Sequence, residues 1–452
     1  MKLPKTRSPR LLPAALVAIA AGSACTTVQG VRTSEPEPDV RVSVGPVPET
    51  DRAGADPDAV RLDEVRGVWV VRTTLTSREQ VLRMVRETHE AGFNTLLVQV
   101  RGRADAYYRS LYEPRAVQLQ DADEEFDPLQ LVLEEAHERG MKVHAWVVAQ
   151  LVWGLSPLPE DPGHLVNVHP DWLAVPRGLA QDLYDVSPWD PVYRRRLHQW
   201  AVENGTRVEG LFASPGHPEV TRRLVNVVED LLLRYPLDGI HLDYIRYPSP
   251  DFDYSRRTLE AFRAFAGRQS PPGRTSSLDA RVQAGDVTAW ARENPELWDR
   301  YRESQVTATL EAVRRVVDRA PGDPALTAAV FADPVDALRG RFQDWTEWLN
   351  GQLVDAVAPM AYTPDDERFA DLMEAARRAD RTGGGRVWAG VGIYQTDLAG
   401  AVRKVSLARA AGAAGFILFS YDWATSEGSR AEGTPYLDEL ARRTFPGREP
   451  RR

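Results

Sequence analysis

Eight short apolar runs, most of them followed by a stretch of helical period, constrain this chain more than any other feature. They fall at residues 66–71, 95–100, 142–149, 238–248, 326–332, 355–362, 387–394 and 415–422. Runs of this kind read as strands buried on both faces, and their alternation with helices is the pattern of βα units in a parallel sheet. Ser77 precedes a helix that stops at Gly92, and Asp127-Pro128 opens one that stops at Gly140. Further helices are predicted over 296–319, 342–349, 369–381 and 397–411. Eight strands with helices after them is the count of a closed α/β (β/α)8 barrel, the TIM barrel.

Two connections break the rhythm. Residues 150–237 follow strand three and residues 248–295 follow strand four, whereas about two to six residues are usual. The first insertion carries Trp153, His169-Pro-Asp-Trp172 and Ser214-Pro-Gly-His217, then a helix over 218–233. The second holds a helix near 255–266 and a polar run, 267–285, that reads as a mobile stretch. Both leave from the C-terminal mouth, where barrel enzymes build their sites.

The ends of the chain read differently. Lys2, Lys5, Arg7 and Arg10 make a basic start, and residues 11–22 are apolar but too short to span a bilayer. Small residues then lead to Cys25, the only cysteine. Residues 1–25 resemble a bacterial lipoprotein signal, which implies lipidation at Cys25, a membrane anchor and a place in the cell envelope. Thr26 follows the cysteine, and by the same resemblance the outer membrane, facing the periplasm, is favoured. Residues 26–61, rich in Pro and charge and without period, read as a disordered tether, leaving 62–446 for the barrel. A formal charge of −9 argues against a nucleic-acid partner.

The candidate chemistry gathers at strand ends. In the stretch from Asp238 to Pro248, His241 and Asp243 share one strand face, and Asp243 stands at the mouth, flanked by Tyr244 and Arg246. Strand two ends at Arg101, followed by Arg103, Asp105 and Tyr107; strand three carries His144 and Trp146 in phase. Tyr362 and Asp365 follow strand six, Tyr394 ends strand seven, and Tyr421-Asp422 end strand eight. Aromatics, arginines and carboxylates converging on one mouth suit a polyol: rings stack on sugar faces, and acids bind hydroxyls and move protons. A glycosidase ordinarily needs two carboxylates. Asp243 is the first; Asp422 and Asp365 are the leading candidates for the second, with Asp366, Asp333 and Asp105 also open. A substrate-assisted route needs one acid and a tyrosine to hold an N-acetyl group, a part open to Tyr362. The eight histidines show no H-x-H or H-E-x-x-H spacing, so neither a metal nor a cofactor is expected.

Several motifs in order carry a resemblance. Arg66-Gly-Val-Trp69, the segment 101–107, Asp127-Pro-Leu129, Ala136-His137 with Gly140, His144-Ala-Trp146, His169-Pro-Asp-Trp172, Ser214-Pro-Gly-His-Pro218 and the Asp238 to Pro248 stretch resemble the glycosyl hydrolase-like 10 family, over about residues 65–436. The resemblance implies a (β/α)8 barrel, often lipid-anchored, with O-glycosidase activity and, in some members, action on peptidoglycan strands stripped of peptide. Carried over, it puts the strand-four acid on Asp243 and sugar contacts on Arg101, Arg103, Asp105, His144, Trp146 and His241. It departs at one place: many members have two consecutive acids where this chain has Asp243-Tyr244. That departure supports an alternative, an envelope lipoprotein that binds glycan without cleaving it.

Overall fold

The computed structural model describes residues 64–383, 385–426 and 435–445. The signal over 1–25, the tether over 26–61 and Cys25 lie outside the described residues. Eight parallel strands close into a barrel: β1 (Val65–Val70), β2 (Thr95–Arg101), β3 (Lys142–Val148), β4 (Gly239–Asp243), β5 (Ala325–Phe331), β6 (Ala356–Met360), β7 (Trp388–Gly392) and β8 (Gly415–Phe419). Neighbours in sequence are neighbours in space, and β8 closes on β1 with Trp69 opposite Phe419. Every residue of β2 and of β4 is buried, as expected of strands that face helices on one side and the barrel axis on the other. Asp243 ends β4 opposite Val148, so its side chain sits at the C-terminal mouth.

The helices begin where short polar side chains relieve unpaired N–H groups. Ser77 Oγ accepts from the Gln80 N–H, and Asp127 does the same for Gln130. The predicted helix over 342–349 begins only at Trp345 (Trp345–Asn350), and a helix not predicted from the sequence, Pro334–Arg341, precedes it. Asp333 and Asp344 cap them, and Phe342 at φ +58° breaks the run. Strands seven and eight end earlier than expected. Ile393–Gln395 is a 3₁₀ turn, and Ser420 caps the short helix Tyr421–Ala424 by accepting from the Trp423 N–H. The polar run 267–285 is corrected most: it contains the helix Pro272–Gln283, which buries Leu278 in a separate apolar cluster with Phe262, Trp290 and Trp298.

Both insertions wall the mouth. The first opens with a two-stranded antiparallel ribbon, Leu151–Trp153 against Leu211–Phe212. The ribbon grows from the top of β3 and β4, where the Ala149 N–H donates to the Asp243 carbonyl at 2.7 Å and the Gln150 N–H to that of Tyr244 at 3.3 Å. The chain enters the second ribbon strand through Gly210, at φ +152°. A Cβ there would lie 2.0 Å from the Trp153 carbonyl oxygen, so no other residue fits. The two walls are joined by Asp253, which is fully buried. It accepts from the Val175 N–H (2.7 Å), the Ser255 N–H (2.8 Å), the Ser255 hydroxyl (3.0 Å) and the Thr258 hydroxyl (2.8 Å).

Gly210→Ala combines this clash with a left-handed backbone and is expected to cost about 2–4 kcal/mol in urea unfolding. Gly273→Ala, with nothing within 4 Å of its added carbon, is expected to stay within about 1 kcal/mol of wild type. Equal effects at the two glycines would refute the close-approach account.

Candidate active site

The inward-facing residues form layers. His144 belongs to the lowest one. Its ring lies against Gly239, where a Cβ would come within 2.4 Å of Nδ1, and packs edge-on to Trp388. The charges nearest to it are Asp238, Lys142 and Asp355, all at the N-terminal ends of strands, and burial pushes its imidazole down to about 4. His144 is therefore a core residue at the closed end and not a sugar contact. The next layer is a neutral chain. The Trp69 indole N–H can only donate, so His241 Nε2 accepts it (3.1 Å), which leaves the proton on Nδ1 to be donated to Thr327 Oγ1 (2.9 Å). The Thr327 hydroxyl in turn lies 3.3 Å from the Ile240 carbonyl oxygen. His241 is fully buried with both nitrogens used, and desolvation holds it well below the usual range. It supports the site from beneath rather than touching substrate.

Asp243 stands one layer higher. Its Oδ2 accepts from Trp146 Nε1 (3.1 Å) and its Oδ1 from the Tyr244 N–H (2.7 Å). Only 7% of the residue is exposed. Burial pushes the carboxyl up to about 6, although the Tyr244 N–H, Arg246 and Trp146 pull it back. An acid poised there can give or take a proton near neutral pH. Around it stand rings from four strand ends: Trp146, Tyr362, Tyr394 and Phe419, the last within 5.5–6.4 Å of each of the other three. The Asp243 charge reaches Tyr362, whose hydroxyl has no hydrogen-bond partner among the described residues and whose ionisation burial pushes well up. Tyr394 Oη accepts from Gln395 at the same rim.

Tyr244 and Arg246 turn across the mouth beside Asp243. The Arg246 guanidinium packs 4.6 Å over the Tyr244 ring and donates to Glu209 Oε1 at 2.7 Å. Glu209 lies in the first insertion, just before the ribbon. It was not among the sequence candidates, and its charge acts on Asp243, Tyr244, Arg246 and Arg103. The one sequence signal for it is an acid followed by Gly210-Leu-Phe212, a glycine and two apolar residues that mark an extra strand. Arg103 lies near Tyr244 and Arg72, and forms no ion pair within 4 Å among the described residues. Asp105 accepts from the Arg103 and Gly102 N–H groups with Oδ1. Tyr107 is buried beneath this corner and donates to Gln118 Oε1.

Four candidates have other partners. Arg101 turns away into a buried pair with Glu113 (2.9 Å), and it also donates to the Val148 and Ala149 carbonyls; it holds the strand-two loop to β3. Asp422 accepts from the Val71 N–H and the Thr73 and Thr74 hydroxyls, stapling the end of β8 to β1. Asp365 is an exposed helix cap for Glu367 and Arg368. Tyr421 donates to Glu87 on the outer helix. Asp422, raised by burial, is engaged between β8 and the end of β1, and Asp365 at an exposed helix start; among the described residues neither hydrogen-bonds or ion-pairs with Asp243 or the groups around it, so neither is assigned as its partner. Among the described residues, no group of three or more His, Cys, Asp or Glu is placed to hold a metal ion.

The family model for glycosyl hydrolase-like 10 matches residues 64–402. Among curated proteins the chain is 23% identical over 328 residues to "Glycosyl hydrolase YngK" of Bacillus subtilis, covering 66% of this chain and 54% of that protein. It is 25% identical over 352 residues to "Glycosyl hydrolase DigH" of Escherichia coli K12, covering 70% of each. Among solved structures, the PgaB (BpsB) glycoside hydrolase domain from Bordetella bronchiseptica superposes with a TM-score of 0.54 at 15% identity, over 84% of this chain and 98% of that one. A GH42 β-galactosidase from G. stearothermophilus gives 0.54 at 14%, over 85% and 56%. At these identities the structures establish the barrel alone.

The buried acid makes a stability prediction. Below about pH 4 the Asp243 carboxyl is protonated in both folded and unfolded chains. Between about 4 and 6 only the unfolded chain releases the proton, so the wild type loses stability as pH rises, and above 6 the penalty is complete. Asp243→Asn escapes that penalty. It should be more stable than wild type by about 1–3 kcal/mol at pH 7.5, with the gain vanishing near pH 4. Urea unfolding at the two pH values checks this; a gain that does not depend on pH would refute it.

Proposed function

Because this chain belongs to the glycosyl hydrolase-like 10 family, we propose that it is a glycoside hydrolase acting on an N-acetylated bacterial glycan, specifically peptidoglycan strands stripped of peptide. Asp243 is its proton donor. One observation carries the reading: a buried carboxyl, raised to about 6, at the mouth of a (β/α)8 barrel and ringed by aromatic faces. The rings of Trp146, Tyr362, Tyr394 and Phe419 suit stacking against pyranose faces, and the unpartnered Tyr362 hydroxyl suits an acetamido group. Arg103, without a carboxylate partner among the described residues, suits sugar hydroxyls or an acidic substituent.

The basic, apolar and small-residue leader before Cys25 supports a lipid anchor at that cysteine and a periplasm-facing place in the envelope, where such strands occur. Incorporation of labelled palmitate by the full chain, and its loss in Cys25→Ser, is the expected outcome; equal labelling of both chains would refute the anchor.

The activity test is digestion of peptide-free peptidoglycan strands with mass spectrometry of the products. Asp243→Asn is expected to lose at least about 100-fold in kcat. A general acid works only while protonated, so kcat/KM should fall as pH rises through about 6. Wild-type protein that binds the strands without releasing product would instead favour a non-catalytic glycan-binding role, which suits a strand end where Asp243 is followed by Tyr244 and not by a second acid.

A further inference from the structure

We infer that Glu209 is the second catalytic carboxylate, the base that activates the attacking water opposite Asp243. The inference rests on the glycosidase reading above and adds to it the group that the β4 motif lacks.

Four observations carry it. First, Glu209 is held in place. Gly210 seals the backbone against Trp153, and the ribbon that follows is hydrogen-bonded to the ends of β3 and β4. Second, its carboxylate is half used. Oε1 is held by Arg246 at 2.7 Å, Oε2 has no hydrogen bond among the described residues, and the side chain is 22% exposed. An oxygen fixed by its twin and open to solvent is placed to accept a proton from water. Third, its charge acts on Asp243, Tyr244 and Arg246 together, whereas that of Asp105 acts on Arg103 and Tyr107 further along the rim. Fourth, the rival acids are spent: Asp422 on Thr73, Thr74 and Val71, Asp365 on a helix cap, and Asp333 on another cap and on Arg368.

The step balances with one water. Asp243 gives its proton to the glycosidic oxygen as the bond from that oxygen to C1 breaks and its electron pair goes to the leaving sugar. Glu209 Oε2 takes a proton from water while the water oxygen forms the new bond to C1. The products are an alcohol and a hemiacetal of inverted configuration, and the proton on Glu209 returns to Asp243 through solvent.

The test uses the full chain on peptide-free peptidoglycan strands. Glu209→Gln keeps the size of the side chain and one hydrogen bond to Arg246, so the ribbon should stay folded, as a urea melt would show. Its kcat should fall at least about 100-fold with KM little changed. Sodium azide should restore turnover to Glu209→Ala, with the glycosyl azide seen by mass spectrometry, and should not restore it to Asp243→Asn. NMR of the first wild-type product should show inversion at C1. Wild-type turnover by Glu209→Ala overturns the proposal and leaves Asp243 standing. So does a loss without azide product, which Arg246→Gln would reproduce if Glu209 merely held the guanidinium. Retention at C1 overturns the role of base. A wild type inert on the strands overturns this proposal and the glycosidase reading together.

Discussion

An indole N–H cannot accept a hydrogen bond, and that asymmetry orders the interior of this barrel. Trp69 fixes the tautomer of His241, and His241 uses its remaining proton on Thr327. Every polar atom in that layer is paired, and no group in it carries charge at neutral pH, because a buried imidazole with both nitrogens used resists protonation. The floor of the site is therefore buried and neutral. A carboxyl placed directly above such a floor finds little to solvate its charge from below. That is why burial dominates at Asp243, and why two donors, the Tyr244 N–H and the Trp146 indole, together with the charge of Arg246, still leave it raised.

The same layering explains what could be read in the sequence and what could not. The eight strands were legible because both of their faces are apolar and the helices between them keep their own period. Alternation told that His144 and Trp146 share a face, as do His241 and Asp243. It did not tell their height. Two residues along a strand climb about 6.6 Å, a whole layer of barrel filling. So His144 stays at the closed end, Trp146 and His241 stand opposite one another in the middle, and the Trp146 indole reaches up to Asp243 at the mouth. Arg101 shows the same limit sideways. It does end β2, but a long side chain chooses its partner in three dimensions, and Arg101 turns to the buried Glu113.

Glu209 carries only a weak sequence signal, for a different reason. It lies 34 residues before Asp243 (243 − 209) in a connection without period, and only the ribbon brings it back over β4. The polar run that hides the helix Pro272–Gln283 is a related case, since one buried leucine against Trp290 is too little apolar pattern to announce a helix. Where tertiary contact supplies the order, local sequence carries little of the signal.

The presence of Tyr244 beside Asp243 then has a physical sense. Tyr244 takes φ +54°, a costly conformation for a residue with a Cβ, and in it donates its own N–H to Asp243. Two adjacent carboxylates at this turn would repel one another in a poorly solvated corner. A tyrosine there puts a ring under the Arg246 guanidinium instead, and the guanidinium holds Glu209 at the solvent side. The two acids are thereby parted by a cation and an aromatic face. One is left to burial, which favours keeping its proton; the other is open to water, whose proton it can take. Division of labour between two carboxyls needs unlike surroundings, and this turn supplies them.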